Sequence, residues 1–164
     1  MRGDLAVTSP WHDSRVSPTA PWHHLPPIPA DVGEGFVATE APAMQQSILS
    51  AMRGGEGKGE PIAADLEFAN GAAERVVIGW RNRYVGFVPT SHLASMRGQL
   101  VAAGKAVLTA PGEVYFDGKF YRVWVGVPPV DGYHPEVPGG YDELPVPPMT
   151  IFGVPLNRLR RPGE

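Results

Sequence analysis

Val76-Val77-Ile78-Gly79-Trp80, then Arg81-Asn82-Arg83, then Tyr84-Val85-Gly86-Phe87-Val88-Pro89 is the stretch that decides the fold of this chain. Two runs rich in β-branched and aromatic residues flank a short polar turn, which is the pattern of a β-hairpin. Asn82 tolerates the left-handed backbone that such a turn needs. With Asn82 and Arg83 as central residues, Trp80 lies opposite Val85 and Ile78 opposite Phe87. Gly79 then meets Gly86 on the other face, and paired glycines in adjacent strands suit a small, tightly curved barrel.

The flanking sequence extends the sheet. Residues 62–68 alternate with period two, so Ile62, Ala64, Leu66 and Phe68 face a core while Asp65 and Glu67 face water. Asn70-Gly71 signals a turn. A bulged or three-residue turn places Leu66 opposite Val76 and Ala64 opposite Ile78, keeping the apolar side chains together. Downstream, Pro89 ends a strand, and a helix over 91–103, capped by Thr90 or Ser91, carries Leu93, Met96 and Leu100. Gly104 closes it. A strand resumes over 105–109 and breaks at Ala110-Pro111-Gly112. A last hairpin turns at Asp117-Gly118, with Glu113 opposite Arg122, Val114 opposite Tyr121 and Tyr115 opposite Phe120. That pattern puts Tyr121, Val123, Val125 and Val127 on one face, and Phe120, Arg122, Trp124 and Tyr115 on the other.

A further helix is expected over 39–53. Thr39 is its cap, and Pro42 is tolerated in the first turn, where no backbone donor is needed. Met44, Ile48, Ala51 and Met52 form its apolar stripe.

Proline divides the chain. Of 19 prolines, seven lie in residues 1–42, three in 43–127 and nine in 128–164. Proline removes a donor and resists helix interiors and central strands. The expected fold is therefore a small β-rich α+β domain over 40–127: a curved antiparallel sheet or partly open barrel of about five to six strands with two short helices. Proline-rich extended arms, 1–39 and 128–164, flank it. Trp11 and Trp22 make the first arm unlike a solvated tail, because disordered segments are poor in aromatics. They mark a segment that lies in a groove, on its own body or on a partner.

Charge and chemistry narrow the function. The net charge is −3, with a slight basic excess confined to the middle of the chain. There is no cysteine, so disulfides and thiolate chemistry are excluded. The opening residues lack the basic-then-apolar order of a signal peptide, and no apolar run is long enough to cross a bilayer; a soluble, cytoplasmic protein is the expectation. His12-Asp13, His23-His24 and Asp31 match no zinc spacing, so no metal and no cofactor are expected. Gly54, Gly55, Gly57 and Gly59 around Lys58 lack the Walker pattern. Ser91 and His92 are sequence neighbours, and Asp65 and Glu67 read as the wet side of a strand. No base–nucleophile–orienter set assembles, so no catalytic residue is assigned.

What remains is an aromatic-basic surface. Tyr115, Phe120 and Trp124 flank Arg122, with Arg81 and Arg83 on a hairpin tip. Bases stack on such rings and phosphates attract such cations. The expected function is a non-enzymatic binding module for single-stranded nucleic acid. The alternative is a structural or adaptor protein whose arms, through Trp11 and Trp22, engage a partner protein or another copy. The bland alternative for the same aromatic face is that the arms cover it.

The segment from Val77 to Pro89, followed by a helix with Leu93 and Leu100, resembles HIRAN domains, with Val85-Gly86-Phe87-Val88-Pro89 as the matching piece. The resemblance spans residues 62–127. It implies a compact β-barrel related in shape to OB folds and, in some members, binding of single-stranded DNA ends. The passage before the first hairpin departs from the family, being Ala69-Asn70-Gly71-Ala72-Ala73-Glu74 here.

Overall fold

A computed structural model describes residues 25–57, 59–148, 150–151 and 154–155. Trp11 and Trp22 lie outside the described residues. The sequence folds as expected into a β-rich α+β domain, a curled sheet with two helices. Seven strands form one sheet: Ile28–Pro29 (β1), Phe36–Val37 (β2), Ile62–Asn70 (β3), Val76–Trp80 (β4), Arg83–Phe87 (β5), Leu108–Phe116 (β6) and Tyr121–Val125 (β7). Their order is β2-β7-β6-β3-β4-β5, with β1 paired in parallel to β6. A separate antiparallel pair joins Thr150–Ile151 (β8) to Val154–Pro155 (β9).

The sheet curls until its two ends meet at Thr39. Ala38 N–H donates to Val123 O on one side, at 2.8 Å, and Thr39 exchanges bonds with Phe87 of β5 on the other, at 2.9 and 3.2 Å. Part of the N-terminal arm is thus structural. Its residues 36–39 bridge the barrel edges, and Ile28–Pro29 adds a short strand.

The interior is filled by alternate residues of every long strand. Leu66, Ile78, Val114, Val123 and Val125 are at most 1% exposed. Burying each contributes about 1.5–3 kcal/mol relative to leaving it in water. The helix Ala41–Ala51 (α1) packs against β5 and β7 and buries Ile48 and Ala51. The helix Thr90–Ala103 (α2) packs against β3, β4 and β6, with Met96 driven into the core and Leu93 and Leu100 beside it. Val85-Gly86-Phe87-Val88-Pro89 leads from β5 straight into α2.

All three hairpin registers differ from the sequence expectation. The β3–β4 loop has five residues, 71–75. Ala73 and Glu74 take positive φ, and Gly71 N–H bonds Arg75 O. Phe68 therefore faces Ile78 and Asn70 faces Val76, rather than Leu66 facing Val76. In the β4–β5 turn Arg81 and Asn82 are central, with φ of 48° and 61°, so Trp80 faces Arg83. A bulge at Ile78/Gly79 then puts Gly86 opposite Ile78 and Phe87 opposite Val77. Gly79 and Gly86 do not meet. In the last hairpin the Asp117 carboxylate accepts from Lys119 N–H and Phe120 N–H, which stretches the turn to residues 117–120. Tyr115 faces Arg122 and Glu113 faces Trp124.

Two further expectations are corrected. Pro111 does not break its strand: β6 runs through it. Pro111 O accepts from Gly126 N–H, so the proline's missing donor faces the gap between the C-terminal ends of β1 and β7, where no ladder bond is lost. Both helices also lack side-chain caps. α1 starts after Glu40 because Thr39 is committed to the barrel bridge, and Pro89 precedes α2.

Candidate binding face

The outward positions of β2, β6 and β7 bring five side chains into adjacent rows: Val37, Glu113, Tyr115, Arg122 and Trp124. The pairings Val37–Trp124, Glu113–Trp124 and Tyr115–Arg122 build them into one surface. The alternation along β6 and β7 had assigned Tyr115, Arg122 and Trp124 to this face. Of the two alternatives, open or covered by an arm, the structure shows the covered one: Tyr115, Arg122 and Trp124 are 8%, 6% and 6% exposed.

Residues 127–144 cover it. Gly126, at φ 118°, turns the chain away from β7, and a side chain there would collide with Gly35 Cα. The Trp124 indole N–H donates to Val127 O at 3.0 Å. The His134 ring lies flat on Tyr115, with centroids 3.6 Å apart and planes 5° apart, and meets Trp124 edge-on. His134 Nε2 makes a short contact with the Glu113 carboxylate. Val137 packs on Val37, Tyr115 and Trp124. Asp142 accepts from Arg122 Nη1 at 2.6 Å. Beyond it, the buried Glu40 fastens the strap: its N–H donates to Tyr141 O, and its carboxylate accepts from Leu144 N–H.

Arg122 is shared between two carboxylates, Asp142 and Asp117, the latter through Nε at 2.6 Å. Burial works against its charge, but the two acids more than offset that, so its pKa is raised above the ordinary guanidinium value. Burial likewise opposes ionisation of Asp117, yet the Arg122 bond and two backbone donors hold its carboxyl below the usual value. Burial pushes the Tyr115 hydroxyl up to about 12. A phenol pKa raised on folding contributes stability below its ordinary value of 10.0, which is lost as pH rises through about 12. In a tyrosine absorbance titration of the folded chain, one of the five tyrosines should ionise near pH 12. Tyr115→Phe should remove that late step and the matching alkaline loss of stability. A titration in which all five ionise together would exclude the buried phenol.

Of the other expected site residues, Phe120 borders this cluster, whereas Arg81 and Arg83 lie apart from it. Phe120 is half-buried in the β6–β7 turn, beside Lys119 and Arg122. Arg81 sits at the β4–β5 tip but is bound bidentately to Glu56 at 2.6 and 2.9 Å, and to Ala51 O. That pair pulls the Glu56 carboxyl down to about 2. Arg83 is exposed next to Tyr84, with β3 and β4 between it and β6.

Sequence reasoning missed Glu113, Asp117, His134, Val137 and Asp142. A signal existed in His134-Pro135 and Val137-Pro138, where each single anchor is followed by a residue that keeps the chain extended.

Elsewhere, Ser91 Oγ and His92 Nδ1 are 2.9 Å apart on the surface, and the imidazole packs against Phe36. Among the described residues no cluster of three or more His, Asp or Glu is placed to hold a metal ion. No helix among them is long and apolar enough to cross a membrane. No family model matches the chain, and neither a curated protein nor a solved structure matches it.

Proposed function

We propose that this protein is a non-enzymatic interaction module whose β2–β7–β6 face takes an extended, proline-containing peptide segment. The observation that carries this reading is the occupant already there. A proline-interrupted stretch lies across Tyr115 and Trp124 and is fixed by one stacked ring, one aliphatic side chain and one carboxylate. Aromatic-lined grooves suit extended proline-containing chains, because such chains lose little entropy on docking.

Single-stranded nucleic acid is the second reading. A ring flat on Tyr115 and an anion on Arg122 are what a base and a phosphate offer. The balance of charge favours the peptide. The face carries Glu113 as well as Arg122, and the neighbouring outward positions of β3 are Asp65 and Glu67, both exposed. A polyanion would meet those carboxylates at close quarters, whereas a peptide can bring both signs. The resemblance to HIRAN domains points toward single-stranded DNA ends, but residues 69–74 depart from that family's pattern, so it does not tip the balance.

Random peptides displayed against the full chain should yield proline-containing binders. Their affinity should fall about thirtyfold with Tyr115→Ala, the loss expected for truncating an aromatic anchor. Selected binders indifferent to both Tyr115 and Trp124 would place the interaction surface elsewhere. Oligonucleotide affinity that falls steeply with salt would favour the second reading.

A further inference from the structure

We propose that residues 127–144 are an exchangeable internal ligand, and that the face recognises a partner protein segment carrying the same anchors in the same order. The motif is a ring with an N–H donor, an aliphatic side chain three residues later, and a carboxylate five residues after that, as in His134, Val137 and Asp142. This rests on the peptide-binding reading and adds the motif and the masking of the site.

The strap is held at a few points and is otherwise wet. Val127, Val130 and Tyr133 are 76%, 107% and 67% exposed. Between His134 and Leu144, the backbone–backbone bond from the body is Glu40 N–H to Tyr141 O. Segments with few buried contacts and few protected backbone bonds open at low free-energy cost. A cleft of about 550 Å³ remains between strap and face, lined by Tyr115, Asp117, Arg122 and residues 134–137. Pro128, Pro129, Pro135 and Pro138 keep the strap extended, so its release dismantles no helix or strand.

The face itself specifies the replacement. Uncovered, Glu113 lacks its ring donor and Arg122 keeps one of its two carboxylates. Covering such groups again without partners costs free energy, and here one group is an anionic acceptor and the other a cationic donor. A ligand must therefore bring a donor to Glu113 and an acid to Arg122. Any such ligand competes with a tethered one, whose effective concentration reaches the millimolar range for short connections. The strap thereby hides the face from weak ligands while leaving it open to strong ones.

The test uses a fluorescent synthetic peptide of residues 130–146 and the full chain. Val137→Asp in the protein places a charge against Val37, Tyr115 and Trp124, ejecting the strap while every residue of the face stays intact. The peptide should bind this variant at least about tenfold more tightly than it binds the unaltered protein, in keeping with loss of a tethered competitor. Asp142→Asn in the protein, a milder change, should give an intermediate gain; circular dichroism confirms that both variants keep the fold. Peptides carrying His134→Ala or Asp142→Ala should lose the tight binding. Equal binding to all three proteins, or no dependence on the two anchors, overturns the proposal. If Val137→Asp binds display-selected peptides but not the strap peptide, the internal-ligand idea fails and the peptide-binding reading stands. If it binds a single-stranded oligonucleotide and no peptide, both fail.

Discussion

Gly112→Ala should destabilise the domain by about 3 kcal/mol, at the upper end of the cost of overpacking a core. A Cβ at this position would lie 2.5 Å from Leu66 Cδ1 and would also collide with the Trp124 carbonyl oxygen. Leu66 is fully buried, and the carbonyl is part of the β6–β7 ladder, so neither obstacle can swing aside. Gly112 sits where β6 is paired on both edges, facing Ala64 of β3 and Val125 of β7. The curl of the sheet brings those neighbours close. Gly98→Ala is the matching control. Gly98 lies within α2, and a Cβ added there would meet nothing within 4 Å, so alanine should stabilise by roughly 0.5–1 kcal/mol through helix propensity. Denaturant unfolding of both variants reads the contrast. Equal effects would mean that steric crowding at Gly112 is not what selects glycine.

Arg122→Ala should cost about 2–3 kcal/mol and free the strap. Removing one partner of a fully buried ion pair costs about 3–5 kcal/mol, because the other charge is stranded. Here the arginine side chain is 8% exposed, but Asp117 and Asp142 are 25% and 23% exposed and can rehydrate, which lowers the expectation. Limited proteolysis should cut the variant within residues 127–144 under conditions where the parent resists. A double-mutant cycle with Asp142→Ala should show coupling, since the two side chains share a 2.6 Å bond. The pH dependence has a defined sign. Asp117 has a depressed pKa, so its contribution is present above the ordinary value of 3.8 and is lost as pH falls through the lower folded value. Arg122→Ala should therefore flatten the acid limb of the stability profile. A variant as stable as the parent, with an intact strap, would show that the triad of charges does not fasten the cover.

The faces of the strands were legible and their registers were not. Ala64, Leu66 and Phe68 point inward as their alternation requires, and so do Val123 and Val125. The last hairpin is shifted by two residues and the first by four. Even shifts preserve the side of every residue, which is why the aromatic-basic row survived a wrong register. In the middle hairpin the bulge at Ile78/Gly79 moved Phe87 out beside Val77, under the Arg75 guanidinium at 3.7 Å. Turn chemistry misled in particular ways. Asp117-Gly118 looked like a two-residue turn, but the Asp117 carboxylate caps two backbone donors and lengthens it. Ala110-Pro111-Gly112 looked like a break, but the change of partner along one edge of β6 accommodates the proline.

By its own local pattern, then, the chain decided that neighbouring segments pair antiparallel, which side chains enter the interior, and that proline-rich stretches flank the sheet. Period two and proline's missing donor act within a few residues, so they need no knowledge of the rest of the molecule. Long-range packing alone decided that residues 36–39 close the barrel, that Glu56 occupies Arg81, and that His134, Val137 and Asp142 roof the face built by Tyr115, Arg122 and Trp124. Those contacts join segments far apart in sequence, where the free energy of a ring, a carboxylate or a carbonyl depends on which distant group arrives to meet it.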